Sequence, residues 1–373
     1  MLFLLIPAAV LTLATFILAA LWRAALALFR RTAPRFWRRT LEAHAGLFVL
    51  HLFVTVPVVF GLLPARFVGT RGDEAGYRGP RLAADGTWLV QTRESLAAEK
   101  QGKAAIDPVV AQATERRALT LTARDHVALR AFLVPEVAAL DAAARFSAVL
   151  VHGLYRGALE IETPGAMLRE LGGEVLLLEL RNHGGSGRAT ATYGHDEALD
   201  VLAAAEYLRT RKDGHGRPLL LYAVSLGTAA AALAAPQIPG LAGLILDAPM
   251  DDLRATALRE LKAGGPAQGI PEPWASTILW SARNLGGIPI DAVRPREALA
   301  RLPPGVFVLF IGAGRDDRMP PSSVRPLFDS LPTAADHKEL WIEDTATHGK
   351  VWVKAPDEYR RRLAAFVARA IVR

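Results

Sequence analysis

Two long runs without a charged side chain stand near the start of the chain. Residues 1–22 and residues 43–65 contain no Asp, Glu, Lys or Arg. About 20 consecutive apolar residues cross a bilayer core as a helix, so each run predicts a transmembrane helix. The alternative for either run is a buried helix of a globular domain. The second run, which contains His44, His51 and Pro57, is the weaker candidate.

The charge between these runs predicts their orientation. Six arginines lie there, at positions 23, 30, 31, 35, 38 and 39, against one acid, Glu42, and they supply most of the formal net charge of +7. Short basic loops stay on the cytoplasmic side of a membrane. The pattern therefore predicts an integral protein of the cell inner or plasma membrane. Residues 1–65 would anchor it, and the rest of the chain would lie outside the cytoplasm.

The remaining chain divides into a connector and an α/β domain. Residues 66–115 are rich in Gly, Arg and Ala and predict a juxtamembrane connector. Over residues 116–373, apolar β-type runs alternate with helical patterns, which predicts a mostly parallel eight-stranded sheet with helices on both faces. A helical stretch at about 251–304 predicts a small cap insertion. The predicted strands are residues 118–122, 127–134, 148–151, 174–180, 219–224, 243–246, 306–311 and 339–342.

Composition excludes several classes of function. The chain has no cysteine, which excludes disulfides, cysteine zinc sites, iron–sulfur clusters and a thiol nucleophile. Its histidines form no metal-binding spacing, and no phosphate-binding glycine loop is present, so we expect neither a metal nor a cofactor. Outside the anchor the chain is close to neutral and carries no nucleic-acid-binding motif, so no nucleic-acid partner is expected.

One serine stands at the junction of an apolar strand and an Ala-rich helix. Ser225 has Ala223 two residues before it and Gly227 two residues after it, a variant of the G-x-S-x-G nucleophile elbow. Small flanking residues relieve crowding in the tight turn, and the helix N-terminus stabilises negative charge. The alternative is a serine that caps a buried helix.

A serine nucleophile needs a histidine base and a carboxylate that orients the histidine. Asp316 and Asp317 follow one predicted strand, and His348 follows the last one. The order serine, acid, histidine is the order in which an elbow serine is followed by its partners. Ser225 and His348 are therefore predicted to be catalytic, together with one of the two aspartates.

An early strand ends in His152-Gly153, where glycine lets the backbone turn its N–H groups toward the serine. The backbone N–H groups of Leu154 and Leu226 are the predicted oxyanion-hole donors. His152 is interpreted as structural, because a loop histidine that serves backbone geometry transfers no proton.

Together these motifs resemble the α/β-hydrolase superfamily, in particular its membrane-anchored abhydrolase-domain proteins and their bacterial relatives. The resemblance covers about residues 117–373. It is carried by His152-Gly153, residues 179–186, Tyr193-Gly194 with Glu197 and Asp200, the Ser225 elbow, Asp316, and His348-Gly349. It implies that Asp316, the first member of the Asp-Asp-Arg run, is the triad acid. Glu179 stands where the family usually has Asp, and Ala223 where it usually has Gly; neither position performs the chemistry.

The resemblance implies a membrane-anchored serine hydrolase that cleaves carboxylic esters through an acyl-enzyme. The expected bilayer anchor and the apolar residues of the insertion favour a lipid or acylated substrate. Three alternatives stay open: acyl transfer, amide or peptide cleavage, and an inactive membrane-bound interaction module. The sequence does not determine the oligomeric state.

Overall fold

The computed structural model describes residues 118–136, 145–212, 216–263 and 270–371, with shorter pieces of the chain between residues 21 and 96. The chain divides into two compact units. One unit comprises Met1–Phe67 and Leu261–Ile288, and the other comprises Val68–Glu260 and Pro289–Arg373. The predicted connector, residues 66–115, lies largely outside the described residues.

The larger unit is built on an eight-stranded sheet. Its strands are β1 (Ala118–Thr122), β2 (Ala128–Val134), β3 (Phe146–Val151), β4 (Gly173–Leu178), β5 (Leu219–Val224), β6 (Leu241–Asp247), β7 (Phe307–Ala313) and β8 (Lys338–Glu343). The strand order is β8-β7-β6-β5-β3-β4-β2-β1. Strand β2 pairs antiparallel with β1 and β4, and every other pairing in this sheet is parallel. Arg81–Leu82 and Trp88–Leu89 form a separate antiparallel pair.

The predicted eight-stranded, mostly parallel sheet is confirmed, with strand ends that differ from the predicted ones by up to two residues. Strand β4 ends at Leu178, two residues before the predicted end. The Glu179 N–H donates to the carbonyl of Arg130, and the Leu180 N–H donates to the ring of His152. The Glu179 bond continues the antiparallel register with β2, and the Leu180 bond to a side chain then leaves the sheet.

The helices of the described residues are α1 (Val56–Leu62), α2 (Glu162–Glu170), α3 (Glu197–Thr210), α4 (Leu226–Ala234), α5 (Leu253–Ala263), α6 (Glu272–Asn284), α7 (Pro295–Leu299), α8 (Pro321–Asp329), α9 (Val351–Lys354) and α10 (Pro356–Ile371). Short 3₁₀ turns occupy Ala158–Ile161, Ala235–Gln237 and Ala335–His337. The predicted insertion, residues 251–304, thus contains α5, α6 and α7.

Each face of the sheet is covered by its own set of helices. Alternate residues of a strand point to opposite faces. Thus Leu221 and Ala223 of β5 pack into the apolar layer under α3, α4 and α8. Tyr222 and Val224 pack into the layer under α2 and α10. Because β5 is buried on both faces, its end is held at a defined position.

Within the smaller unit, α1 packs against α6. A π-helical turn over His51–Thr55 leads into α1. The Ser281 hydroxyl donates to the Val58 carbonyl at 3.1 Å. A Cβ added to Gly61 would stand 2.3 Å from the Ile278 carbonyl oxygen, so only glycine allows this approach of the two helices.

The prediction of an integral membrane protein with an extracytoplasmic domain is wrong. Among the described residues, none of the helices combines the length and the apolar character that crossing a bilayer requires. Helix α1 has 7 residues and is about 10 Å long, a third of a hydrocarbon core. It lies in the second predicted span, where Val56, Pro57 and Gly61 are buried. The first predicted span, residues 1–22, lies almost entirely outside the described residues.

Candidate active site

Ser225 makes the turn between strand β5 and helix α4 by itself. Its backbone has φ 54° and ψ −122°, a conformation that costs a residue with a side chain about 1–3 kcal/mol. Hydrogen bonds on both sides hold it there. The Ser225 N–H donates to the Asp247 carbonyl at 2.9 Å, and the Ser225 carbonyl accepts from Thr228 N–H at 2.9 Å. The turn leaves the Ser225 side chain partly exposed at the end of an otherwise buried strand.

Gly227 is required because helix α4 starts directly against the end of strand β3. A Cβ at this position would stand 2.6 Å from the His152 carbonyl oxygen and 2.9 Å from that of Val151. Both atoms belong to backbone, which cannot rotate away. The glycine of the elbow pattern therefore lets the helix carry Ser225 close to the loop that follows β3.

We expect Gly227→Ala to lower the free energy of unfolding by about 1–3 kcal/mol, the usual cost of overpacking a core. The clash outweighs the better helix propensity of alanine. Thermal unfolding measures the change, and Gly305→Ala is the control, because a Cβ at Gly305 meets nothing within 4 Å. Equal melting temperatures for the two variants would contradict this account of the elbow.

Ser225, His348 and Asp316 form a continuous hydrogen-bonded chain. Ser225 Oγ lies 2.7 Å from His348 Nε2, and His348 Nδ1 lies 2.8 Å from Asp316 Oδ2. An ionised carboxylate only accepts hydrogen bonds, so Nδ1 carries the proton and Nε2 of the neutral ring accepts from the serine. Ser225 follows β5, Asp316 follows β7 and His348 follows β8, so three loops at the carboxyl edge of the sheet contribute one residue each.

Asp316 is buried and held on both carboxylate oxygens. Its Oδ1 accepts the N–H groups of Arg318 and Met319, each at 2.9 Å. Burial raises the pKa of Asp316, but the hydrogen bond and charge of His348 and the two N–H groups outweigh it and hold this pKa below its usual value. Asp317 is exposed. The structure thus brings Asp316, rather than Asp317, to His348.

The two residues predicted to form an oxyanion hole belong to the loop after β3 and to the first turn of α4. A Cβ on Gly153 would stand 3.1 Å from Ser225 Cβ and 3.6 Å from Ser225 Oγ, so the loop after β3 passes next to the serine. Leu154 follows in this loop, and Leu226 is the first residue of α4, where an N–H lacks an intrahelical acceptor. In the described part of the chain, no group accepts either N–H.

Two buried histidines hold the loop after β3. The His152 Nδ1 lies 2.8 Å from the Gly153 carbonyl oxygen, and its Nε2 accepts from Leu180 N–H at 3.1 Å. The His183 Nε2 accepts from Tyr155 N–H at 3.3 Å. Burial, and next the neighbouring His183, lower the pKa of His152 to about 3. His152 is therefore neutral and supports the loop through its hydrogen bonds.

Two acidic residues of this region were missed by the sequence analysis. Glu160 Oε2 accepts the Gly153 N–H at 2.7 Å. Asp247, at the end of β6, is completely buried beside the elbow. The sequence does contain a pattern that marks Asp247, because a single acid ends the apolar run 244–246. Glu160 lies in a short 3₁₀ turn with no pattern that marks it.

Comparisons with known proteins agree with this architecture. A family model described as "Serine aminopeptidase, S33" matches residues 142–284. An esterase of Pyrococcus furiosus, Pf2001, superimposes with a TM-score of 0.56 at 21% identity, covering 68% of this chain and 91% of the esterase. The chain has the α/β-hydrolase fold, and the matching family model is that of a hydrolase. The α/β-hydrolase GrgF from Penicillium sp. sh18 matches with a TM-score of 0.51 at 17% identity, over 68% of this chain and 98% of its own.

Among curated proteins, this chain is similar to the uncharacterized protein YqkD of Bacillus subtilis. The two are 26% identical over 222 residues, which cover 59% of this chain and 70% of YqkD. The match to the solved structures, at these identities, concerns the fold. The family match and the fold together support a hydrolase.

No group of three or more His, Cys, Asp or Glu side chains able to hold a metal ion occurs among the described residues.

Proposed function

We propose that this α/β-hydrolase is a serine hydrolase that cleaves carboxylic esters through an acyl-enzyme. The observation that carries the proposal is the hydrogen-bonded chain from Ser225 Oγ through both ring nitrogens of His348 to Asp316. A free serine hydroxyl is a weak nucleophile, and this arrangement supplies the base that activates it.

The geometry supports the following sequence of steps. Ser225 Oγ attacks the ester carbonyl while His348 Nε2 takes the hydroxyl proton, and Asp316 stabilises the imidazolium. The backbone N–H groups of Leu154 and Leu226 stabilise the negative oxygen of the tetrahedral intermediate. His348 then gives its proton to the leaving alcohol, which leaves an ester on Ser225. Water, activated by His348, attacks this ester and releases the acid.

The ester is the first choice of substrate because the solved proteins of similar fold include an esterase. A second candidate is cleavage of a peptide bond at an amino terminus, which the description of the matching family model favours. The expectation of an acyl-lipid substrate loses one of its two supports, the membrane anchor. The proposal is therefore limited to carboxylic esters, without a preference for chain length.

The test is a fluorophosphonate probe, which labels activated serines, followed by location of the label by mass spectrometry. We expect a single labelled site, Ser225. Hydrolysis of p-nitrophenyl esters of short and long acyl chains, compared with aminoacyl naphthylamides, then separates the two substrate classes. A folded protein that takes up no label and cleaves neither class would contradict the proposal; cleavage of the naphthylamides alone would favour the second candidate.

A further inference from the structure

A chain of three buried side chains lies next to the proposed catalytic residues. The Tyr359 hydroxyl on α10 donates to Asp247 Oδ2 at 2.9 Å, and the Tyr222 hydroxyl on β5 lies 3.0 Å from that of Tyr359. Tyr359 uses its one proton on Asp247, so Tyr222 is the donor in the second bond. Both hydrogen bonds therefore point toward the Asp247 carboxylate.

The same three residues connect the elements that carry the nucleophile and the base. The Asp247 carbonyl accepts the Ser225 N–H at 2.9 Å. Tyr222 stands three residues before Ser225 in the same strand. Tyr359 lies on α10, which follows the His348 loop and the short helix α9. Asp247 therefore contacts the backbone of the elbow directly and, through Tyr359, the helix α10.

The Asp247 carboxylate is buried, which is unusual for a charged group. Asp247 is completely buried, and among the described residues its Oδ1 has no hydrogen-bond partner. Burial raises the pKa of Asp247 to about 7; the hydrogen bond from Tyr359 and the charge of His348 act in the opposite direction, and Glu160 and Asp316 raise it further. Among the described residues, Tyr359, His348, Glu160, Asp316 and Tyr222 are titratable side chains that interact with Asp247, from β5, α10 and the neighbouring loops.

We propose that Asp247 is a positioning residue whose carboxylate stabilises the imidazolium of His348, and that Tyr359, itself hydrogen-bonded to Tyr222, favours the ionised form of this carboxylate. The inference rests on the proposed function, because the imidazolium forms when Ser225 attacks. A negative charge near His348 favours the protonated form of its ring. Asp316 supplies one such charge, and the carboxylate of Asp247 would supply a second.

Two substitutions are expected to move the pH–rate profile in different ways. Asp247→Asn removes the charge, so the step in rate that accompanies its ionisation disappears and the alkaline plateau falls roughly tenfold. Tyr359→Phe removes the donor, so the carboxyl ionises less readily and the step moves up by about one pH unit. Tyr222→Phe is expected to move it in the same direction by less.

The control is Tyr77→Phe. Tyr77 is buried and donates to the carboxylate of Glu162 at 3.2 Å, so this variant loses the same kind of bond at another place. We expect its profile to coincide with that of the wild type. A merely structural role of Asp247 would lower the rate at every pH and leave the step in place, and that result would overturn the inference.

A direct titration separates this inference from the proposed function. Infrared or ¹³C NMR spectra of the Ser225→Ala protein, assigned with the additional Asp247→Asn change, follow the Asp247 carboxyl without any turnover. We expect ionisation near neutral pH. Ionisation at the ordinary pH of an aspartate would overturn the inference while leaving serine labelling intact. Absent labelling in the wild type would instead overturn the proposed function.

Discussion

Replacement of Ser225 by alanine is expected to lower kcat/KM for an ester substrate by roughly 10⁶ and to abolish fluorophosphonate labelling. Alanine has no oxygen to attack the carbonyl, and the 2.7 Å hydrogen bond to His348 is lost with it. The backbone of the elbow keeps its two hydrogen bonds, to Asp247 and Thr228, so the fold should persist. Steady-state kinetics and circular dichroism on the same preparation measure the two effects.

Ser147→Ala is the matched control for this substitution. Ser147 is buried in β3, and its hydroxyl has no hydrogen-bond partner within the described residues, so its loss should leave activity unchanged. The double variant Ser225→Ala with His348→Ala should be no slower than Ser225→Ala alone, because residues that act as a unit are not additive. Substantial turnover by Ser225→Ala would remove this serine from the mechanism.

Asp316→Asn is expected to lower kcat by about 10⁴, the loss typical when the triad carboxylate becomes an amide. The amide can offer its NH₂ group to His348 Nδ1 and so favour the tautomer in which Nε2 carries the proton. That tautomer cannot accept the proton of Ser225. The remaining amide oxygen still accepts the N–H groups of Arg318 and Met319, so the loop should keep its shape.

The neighbouring Asp317→Asn is the control, because it makes the same chemical change one residue away on an exposed side chain. We expect it to retain full activity. The ratio of the two kcat values, measured at a pH on the alkaline plateau, decides the assignment. A loss in Asp317→Asn with none in Asp316→Asn would exchange the roles of the two aspartates.

The sheet and the order of the candidate site residues are predictable because they depend on local patterns. Buried parallel strands are continuous apolar runs, and the side chains at their carboxyl ends meet at one edge of the sheet. This rule places Ser225, His348 and one of the two aspartates at the same edge. The rule does not distinguish Asp316 from Asp317, because both follow β7. Only the turn over Arg318 and Met319 directs one of them to His348.

The features that sequence analysis missed depend on contacts between distant segments. An apolar run such as residues 43–65 has the same pattern whether it faces lipid or another helix. Here α1 packs on α6, with Ser281 bonded to Val58, more than 200 residues earlier in the chain. Asp247 and Tyr359 are likewise 112 residues apart, and no local pattern connects an acid at a strand end with a tyrosine in the last helix.

The strained backbone at the carboxyl edge of the sheet also limits how this enzyme could be engineered. Tyr155, Asn182, Ser225 and Ala248, which follow β3, β4, β5 and β6, all have φ between 53° and 68°. Glycine adopts this conformation without penalty, so Ala248→Gly is a place where the native state could gain stability. The same change at Ser225 would relieve the same strain and remove the nucleophile. The protein is thus less stable than it would be with glycine at the elbow, because the nucleophile requires a side chain at that position.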